Sequence, residues 1–217
     1  MIIDTFVCDY GGVVSDHYSE PYQGQLASAL GVTKKRLREL LSERSPHGRL
    51  YRLDRMSKTQ FWIEVMKLAG KVGLDEDNLQ DLWAKTYIPN AAVLSLLSHI
   101  KDQLEVQTAI VMNEDRWRYE YVLERYDMKR YAPVIIASFE VGAIKPEEPI
   151  YREVLTRVNR RSNPERVLYV DDRQTHVDAA KACGMNGYLH INPGELAGFV
   201  DTISLVKFQP DLGKEAP

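Results

Sequence analysis

The chain has 217 residues, of which 44% are hydrophobic and 27% charged, with a formal net charge of −3; this is the profile of a globular protein with a substantial core, either one domain or a core with an inserted module. A mildly negative charge gives no reason to expect nucleic-acid binding, which calls for a basic domain or stripe, and no apolar run approaches the roughly 18 residues of a membrane span. Cys8 and Cys183 lie far apart in apolar segments and make no CxxC or Cys/His spacing, so both read as buried thiols of a reducing, cytoplasmic compartment.

Met1 to Asp9 has no basic leader and contains Asp4, so it reads as a buried strand, Thr5–Asp9, rather than a signal peptide. Gly11 and Gly12 then mark a tight loop. From Asp16 to Pro89 only helical patterns occur, which makes this stretch an insertion. One helix starts at a capping box formed by Ser57 and Gln60 and carries Phe61, Trp62, Val65, Met66 and Ala69 on one face. A second runs through Leu79, Leu82, Trp83, Thr86 and Tyr87, and both aromatic stripes read as core. Thr33 to Arg55 holds eight basic against three acidic residues, a surface able to draw anions toward a cleft. A helix after Asn90 returns to a regular alternation: strands at Gln107–Met112, Pro133–Ala137, Arg166–Val170 and Gly187–Ile191, helices at Glu114–Tyr126, Glu147–Val158 and Arg173–Cys183, the last closed by Gly184. Alternating strands and helices predict a Rossmann-like α/β fold with a parallel sheet. The polar end from 207 to 217 is expected to be a loose tail.

Ligands bind beyond the carboxyl ends of strands in such a sheet. Here those ends carry Asp9, Asn113 and the doublet Asp171 and Asp172, with Lys145 a few residues after the third core strand. Converging carboxylates repel one another unless a cation sits among them or their pKa values rise. Mg²⁺ suits such oxygen donors.

Asp9-Tyr10-Gly11-Gly12-Val13-Val14 resembles the first motif of the haloacid dehalogenase-like hydrolase superfamily. Gly142 to Tyr151 (GAIKPEEPIY) looks like its lysine motif, and Val167 to Met185 (VLYVDDRQTHVDAAKACGM) like its acidic motif with the helix that follows. The resemblance covers about two-thirds of the chain, closest to the subgroup of sugar-1-phosphate phosphatases and the phosphatase domain of soluble epoxide hydrolases. It implies a core of residues 1–15 and 90–206 with an all-α helical cap at 16–89. By position it makes Asp9 the nucleophile that forms an aspartyl-phosphate. Asp172 becomes the principal acidic Mg²⁺ ligand, joined by Asp9, the Gly11 carbonyl, and Asp171 directly or through water. Lys145 would orient Asp9 and neutralise phosphoryl oxygens, while Asn113, at the start of the helix near Glu114, and Gly12 would bind the phosphate. The expected partner is a small phosphorylated metabolite, with no nucleic acid and no membrane; nothing in the sequence sets an oligomeric state.

Two residues depart from the family pattern. Gly11 stands where a second Asp usually protonates the leaving group, and Met112 replaces a hydroxyl residue. Losses of about 10² to 10⁴ and 10² to 10³ in rate are expected from such changes, although glycine at the first place also occurs in active relatives of the sugar-1-phosphate group. Anomeric, acyl or aryl phosphates, which need little acid help, become the favoured substrates, and Gly11→Asp should help alkyl phosphates most. His17 follows the first motif and is a candidate replacement acid or substrate-binding group against the reading of an ordinary loop histidine. His176 is expected to be a surface or packing residue. His47, Arg49 and Tyr51 either line the cleft or form an ordinary loop. A receiver domain is shorter and brings paired acids at its first strand, and a true haloacid dehalogenase works without metal. The remaining alternative is a catalytically degraded relative that binds a phosphorylated ligand or a protein partner.

Overall fold

The computed structural model describes residues 2–208. It begins with β1 (Ile2–Ile3) and β2 (Thr5–Asp9), the latter buried along its whole length. Residues 16–89 then fold as α1 (Tyr22–Leu30), α2 (Lys34–Leu40), α3 (Pro46–Arg52), α4 (Lys58–Leu68) and α5 (Glu76–Lys85). The two ends of this segment lie side by side, with Ser15 bridging Pro89 and the Asn90 N–H donating to the Val14 carbonyl at 2.7 Å. The chain continues through α6 (Ala91–Ser98), β3 (Gln107–Met112), α7 (Arg116–Tyr126), β4 (Val134–Ala137), α8 (Ser138–Val141) and α9 (Glu148–Arg157). It ends with β5 (Val167–Asp171), α10 (Gln174–Ala182), β6 (Asn186–Leu189), α11 (Pro193–Thr202) and β7 (Ser204–Leu205).

Five strands form a parallel sheet in the order β4-β3-β2-β5-β6, and β1 pairs with β7 apart from it. The order reverses at β2, so the crevice beyond Asp9 is the topological switch point. Asp9 lies in register with Val111 and Cys8 with Val170, which brings the ends of β3 and β5 beside Asp9. Alternation along β2 divides the core. Phe6 and Cys8 join a cluster with Val93, Leu97, Val122 and Leu196, while Val7 joins Ile150, Tyr151, Val154 and Ala180 on the other face. Fully enclosing a side chain such as Leu97 stabilises the fold by about 1.5–3 kcal/mol.

Residues 16–89 have their own core. Phe61, Tyr51 and Trp83 form a near-parallel cluster with centroids 4.3 Å (Phe61–Tyr51), 5.3 Å (Phe61–Trp83) and 6.2 Å (Tyr51–Trp83) apart, so the aromatic stripes are packed as the sequence predicts. The capping box at Ser57 and Gln60 is present, and Thr33, Ser45 and Asp75 cap three other helices through their side chains.

Three features differ from the sequence expectation. The helix predicted from Glu114 begins at Arg116, because Asp115 is its N-cap and accepts from the Arg118 N–H at 3.1 Å. Helix α11 and the β1–β7 pair carry no prediction. Lys207 and Phe208 are fastened rather than loose: the Phe208 N–H donates to the Glu105 carbonyl at 2.9 Å, Lys207 pairs with Glu105 at 2.8 Å, and the Arg160 guanidinium lies 4.3 Å from the Phe208 ring centre. The rest of the expected tail, 209–217, lies outside the described residues. No helix among those described is long and apolar enough to cross a membrane.

Candidate active site

Asp9 ends β2 and is 6% exposed. Its Oδ1 accepts from the Tyr10 N–H at 2.6 Å and lies 2.6 Å from Lys145 Nζ, while Oδ2 has no hydrogen-bond partner among the described residues. Lys145, 2% exposed, also reaches Asp171 Oδ2 at 3.2 Å and the Val111 carbonyl at 3.2 Å. Burial, opposed by Lys145 but reinforced by Asp171 and Asp172, pushes Asp9 up from its ordinary 3.8 to about 7.

Asn113 organises the lysine rather than heading a helix. Its Oδ1 accepts from the Lys145 backbone N–H at 2.7 Å, and its Nδ2 donates to the Lys145 carbonyl at 3.0 Å. The expectation that it stands at a helix N-terminus fails because the chain makes two more residues before α7 starts. Glu114, fully buried, turns instead to Arg118, whose Nη1 donates to its Oε1 at 3.0 Å.

Asp171 ends β5 beneath Lys145. Tyr169 donates to its Oδ2 at 2.7 Å, the Arg173 N–H to its Oδ1 at 3.0 Å, and His176 Nδ1 lies 3.0 Å from Oδ1. Against the effect of burial, Lys145, His176 and Tyr169 hold this carboxyl well below the usual range. Burial also lowers the His176 pKa, so its imidazole is neutral at pH 7 and donates from Nδ1. His176 is thus packed inside, and it orients an acid of the site.

Asp172 faces the loop after β2. Its Oδ2 is 3.2 Å from His17 Nε2, and its Oδ1 is buried with no hydrogen-bond partner among the described residues. Gly12, at φ +91, permits this approach, since a Cβ there would fall 2.4 Å from Asp172 Cγ. The space beside Gly11 is filled: a Cβ would meet His17 Nδ1 at 2.8 Å and Tyr87 Oη at 2.9 Å. Ligand-capable atoms of Asp9, Asp171 and His176 lie within 4.8 Å of one another. Carboxylate oxygens make up most of the donors here, including Asp172 Oδ1, which has no hydrogen-bond partner among the described residues, and His176, whose Nδ1 is engaged by Asp171, keeps only Nε2 for a cation. Such a set fits a hard divalent ion.

A cavity of about 470 Å³ opens over these groups, within the size range of metabolite sites. Asp9, Gly11, His17, Met112, Asn113, Lys145 and His176 line its floor, and Arg38, Ser42, Glu43, Arg44 and Arg52 line it from the helical segment. Glu43 spans the opening, paired with Arg173 and accepting from Asn113 Nδ2 at 3.3 Å. Arg52 Nε donates to the Asn113 carbonyl at 3.1 Å, and the Arg52 carbonyl accepts from Ser138 Oγ at 2.8 Å. His47, Arg49 and Tyr51 do neither of the things considered for them. They belong to α3, where His47 bonds the Leu40 carbonyl, Tyr51 stacks on Phe61 and Arg49 pairs with Glu147.

The structure thus brings together Asp9, Gly11, Gly12, His17, Asn113, Lys145, Asp171 and Asp172. Sequence reasoning placed Arg52 only within a basic stretch and Tyr87 only in a core stripe, and it missed the site roles of both and of Glu43 and Arg173, which arise by tertiary packing.

A family model described as haloacid dehalogenase-like hydrolase matches residues 3–184. The phosphorylated carbohydrates phosphatase of Thermotoga maritima is 29% identical over 122 residues, which are 54% of this chain and 55% of that protein; the chain therefore matches about half of that relative's length. A HAD family enzyme of Bacteroides thetaiotaomicron, solved with magnesium and inorganic phosphate, superposes with a TM-score of 0.70 at 16% identity, over 87% of this chain and 94% of that one. A predicted HAD-like family hydrolase from Porphyromonas gingivalis gives 0.71 at 21% identity, over 92% and 97%. At these identities the two likenesses concern the fold.

Proposed function

The chain belongs to the haloacid dehalogenase-like hydrolase family, and from that premise we propose that it is a Mg²⁺-dependent phosphatase of a small phosphorylated metabolite, acting through an aspartyl-phosphate on Asp9. The observation that carries this reading is Lys145 Nζ, buried between Asp9 at 2.6 Å and Asp171 at 3.2 Å. The phosphatase relative favours a phosphorylated carbohydrate. In this reading residues 1–15 and 90–206 are the catalytic core, 16–89 the cap, and the cytoplasm the compartment.

With Oδ1 of Asp9 held by Lys145 and the Tyr10 N–H, Oδ2 is the attacking atom. Its bond to phosphorus forms as the bond from phosphorus to the leaving oxygen breaks. Water then cleaves the acyl phosphate, returning the Asp9 carboxylate and releasing phosphate. Lys145 offsets negative charge on the phosphoryl group throughout, and Asn113 keeps Lys145 in place through both sides of its peptide. Mg²⁺ held by Asp9, Asp172, the Gly11 carbonyl and Asp171, directly or through water, would supply further positive charge there. His17, on the cavity wall, and Gly12, which lets Asp172 approach, would meet the substrate next to Asp172. Leaving groups that depart without a strong acid suit a site with Gly11 in place of a carboxylic acid.

One observation favours a second reading: Glu43 occupies Asn113 and Arg173 with a carboxylate, which is how a protein that binds a phosphorylated partner without turnover would rest. A panel of sugar 1-phosphates, acetyl phosphate and phenyl phosphate, assayed with Mg²⁺ and with chelator, separates the two. The phosphatase reading expects Mg²⁺-dependent phosphate release from at least one of them; none from any would leave the binder.

A further inference from the structure

The charged lining of the cavity is uneven. It includes the cations Arg38, Arg44, Arg52, Arg118, Lys145 and Arg173, against the carboxylates of Asp9 and Glu43. Lys145 is engaged by Asp9 and Asp171, Arg173 by Glu43, and both Arg118 and Arg52 by Glu114. Arg38 on α2 and Arg44 in the turn after it remain. Both line the same cavity, and neither guanidinium has an ion pair or hydrogen bond among the described residues. The nearby acid Glu39 is already paired with Arg36 at 3.2 Å. Ser42, whose hydroxyl accepts from the Arg44 N–H at 3.1 Å, lies on the wall with them.

Both side chains are exposed, so water solvates them, and the positive potential summed over this wall raises the local concentration of an anion there. The phosphoryl end of a substrate is already served by Lys145 and Asn113 at the strand ends. Arg38 and Arg44 come from the helical segment that covers them, so they meet the non-reacting end of the same molecule. A guanidinium presents paired N–H donors that match a carboxylate or phosphate.

We propose that Arg38 and Arg44 bind a second anionic group of the substrate, which makes the substrate class a phosphorylated acid or a bisphosphate. The inference deepens the phosphatase reading and rests on it for the placement of the first phosphoryl group. Carboxylate and phosphate share the recognising chemistry, and the probes below distinguish them.

The test uses phosphonates, which are not hydrolysed, so binding is read whether or not the chain turns over phosphate esters. Calorimetry on the full chain with Mg²⁺ compares propylphosphonate, 3-phosphonopropanoate and propane-1,3-bisphosphonate. Two exposed ion pairs predict about tenfold tighter binding of at least one doubly anionic probe over propylphosphonate. The stronger of the two identifies the second group. In Arg38→Gln/Arg44→Gln the advantage should fall to within about twofold. The charge-matched control Lys35→Gln/Arg55→Gln, outside the cavity lining, should keep it. No preference in wild type, a preference that survives the first double variant, equal loss in the control, or no binding of any probe would each overturn the proposal. Absence of phosphate release from every ester, alongside an intact preference, would count against the phosphatase reading and leave the second-anion site standing.

Discussion

His17 Nδ1 stands 2.8 Å from the point where a Cβ on Gly11 would project, and Tyr87 Oη stands 2.9 Å from it. The place of the missing acid side chain is therefore filled from two sides. Gly11→Asp alone should not give the gain the sequence suggests: overpacking should cost about 1–3 kcal/mol of stability, with activity unchanged or lower. Combining it with His17→Ala removes the nearer obstruction and leaves the Tyr87 hydroxyl, the far end of its side chain, as the one atom of the two that must shift. The double variant should then hydrolyse an alkyl phosphate about tenfold faster than His17→Ala, with a smaller gain for acetyl phosphate. Thermal melts and rates on both substrates check this; a full gain from Gly11→Asp alone would contradict the packing.

Asp115 supplies a pH dependence away from the proposed metal ligands. Burial, then Glu114, push it from its ordinary 3.8 to about 7. The folded state therefore holds a proton that the unfolded state has lost between about pH 4 and 7. This contribution to stability is complete below pH 4 and is lost as pH rises through 7. Asp115→Asn keeps an oxygen to cap the Arg118 N–H and removes the charge. It should be more stable than wild type above pH 7, by on the order of 1 kcal/mol or more, and the gap should close toward pH 4. Denaturant melts across that range measure the gap; one that widens on acidification would reverse the assignment.

Glu43 pairs with Arg173 and accepts from Asn113, so in the proposed phosphatase it would compete with a phosphoryl group for both. Arg173, and after it Arg52, hold the Glu43 carboxyl below its usual range against burial, so it is anionic at neutral pH. Glu43→Gln removes the repulsion and frees the guanidinium. Inorganic phosphate should bind about three- to tenfold tighter, as expected when a nearby like charge is deleted. Weaker binding in a calorimetric titration would mean that Glu43 chiefly holds Arg173 in position.

Asp9, Asp171 and Asp172 were legible because each ends an apolar run, and a parallel sheet brings such ends together whatever the loops do. Lys145 was legible through its motif, although the two hydrogen bonds it exchanges with the Asn113 side chain follow from packing of the β3 and α8 loops. His176 looked peripheral because its spacing from Asp171 has no motif of its own; only the first turn of α10 folds it back. The gaps in the helical segment have another cause. Helices α2 and α3 are short, and their stability comes from the shared core around Leu37, Tyr51 and Phe61 more than from their own periodicity. Ser45-Pro46 and Asn192-Pro193 are N-cap and N1 signals that mark α3 and α11 in the sequence. Glu43 and Arg52 have no such signal, since their roles exist only once that segment lies over the strand ends.

The most direct test of the central claim is to trap the covalent intermediate. The chain with Mg²⁺ is mixed with acetyl phosphate or a turned-over sugar phosphate, quenched in acid within milliseconds to seconds, and digested for mass spectrometry. The account predicts a phosphoryl group on the peptide containing Asp9, absent with chelator and absent in Asp9→Asn, whose amide is a poor nucleophile. Turnover that persists in Asp9→Asn, or a phosphoryl group found on another residue, would contradict it.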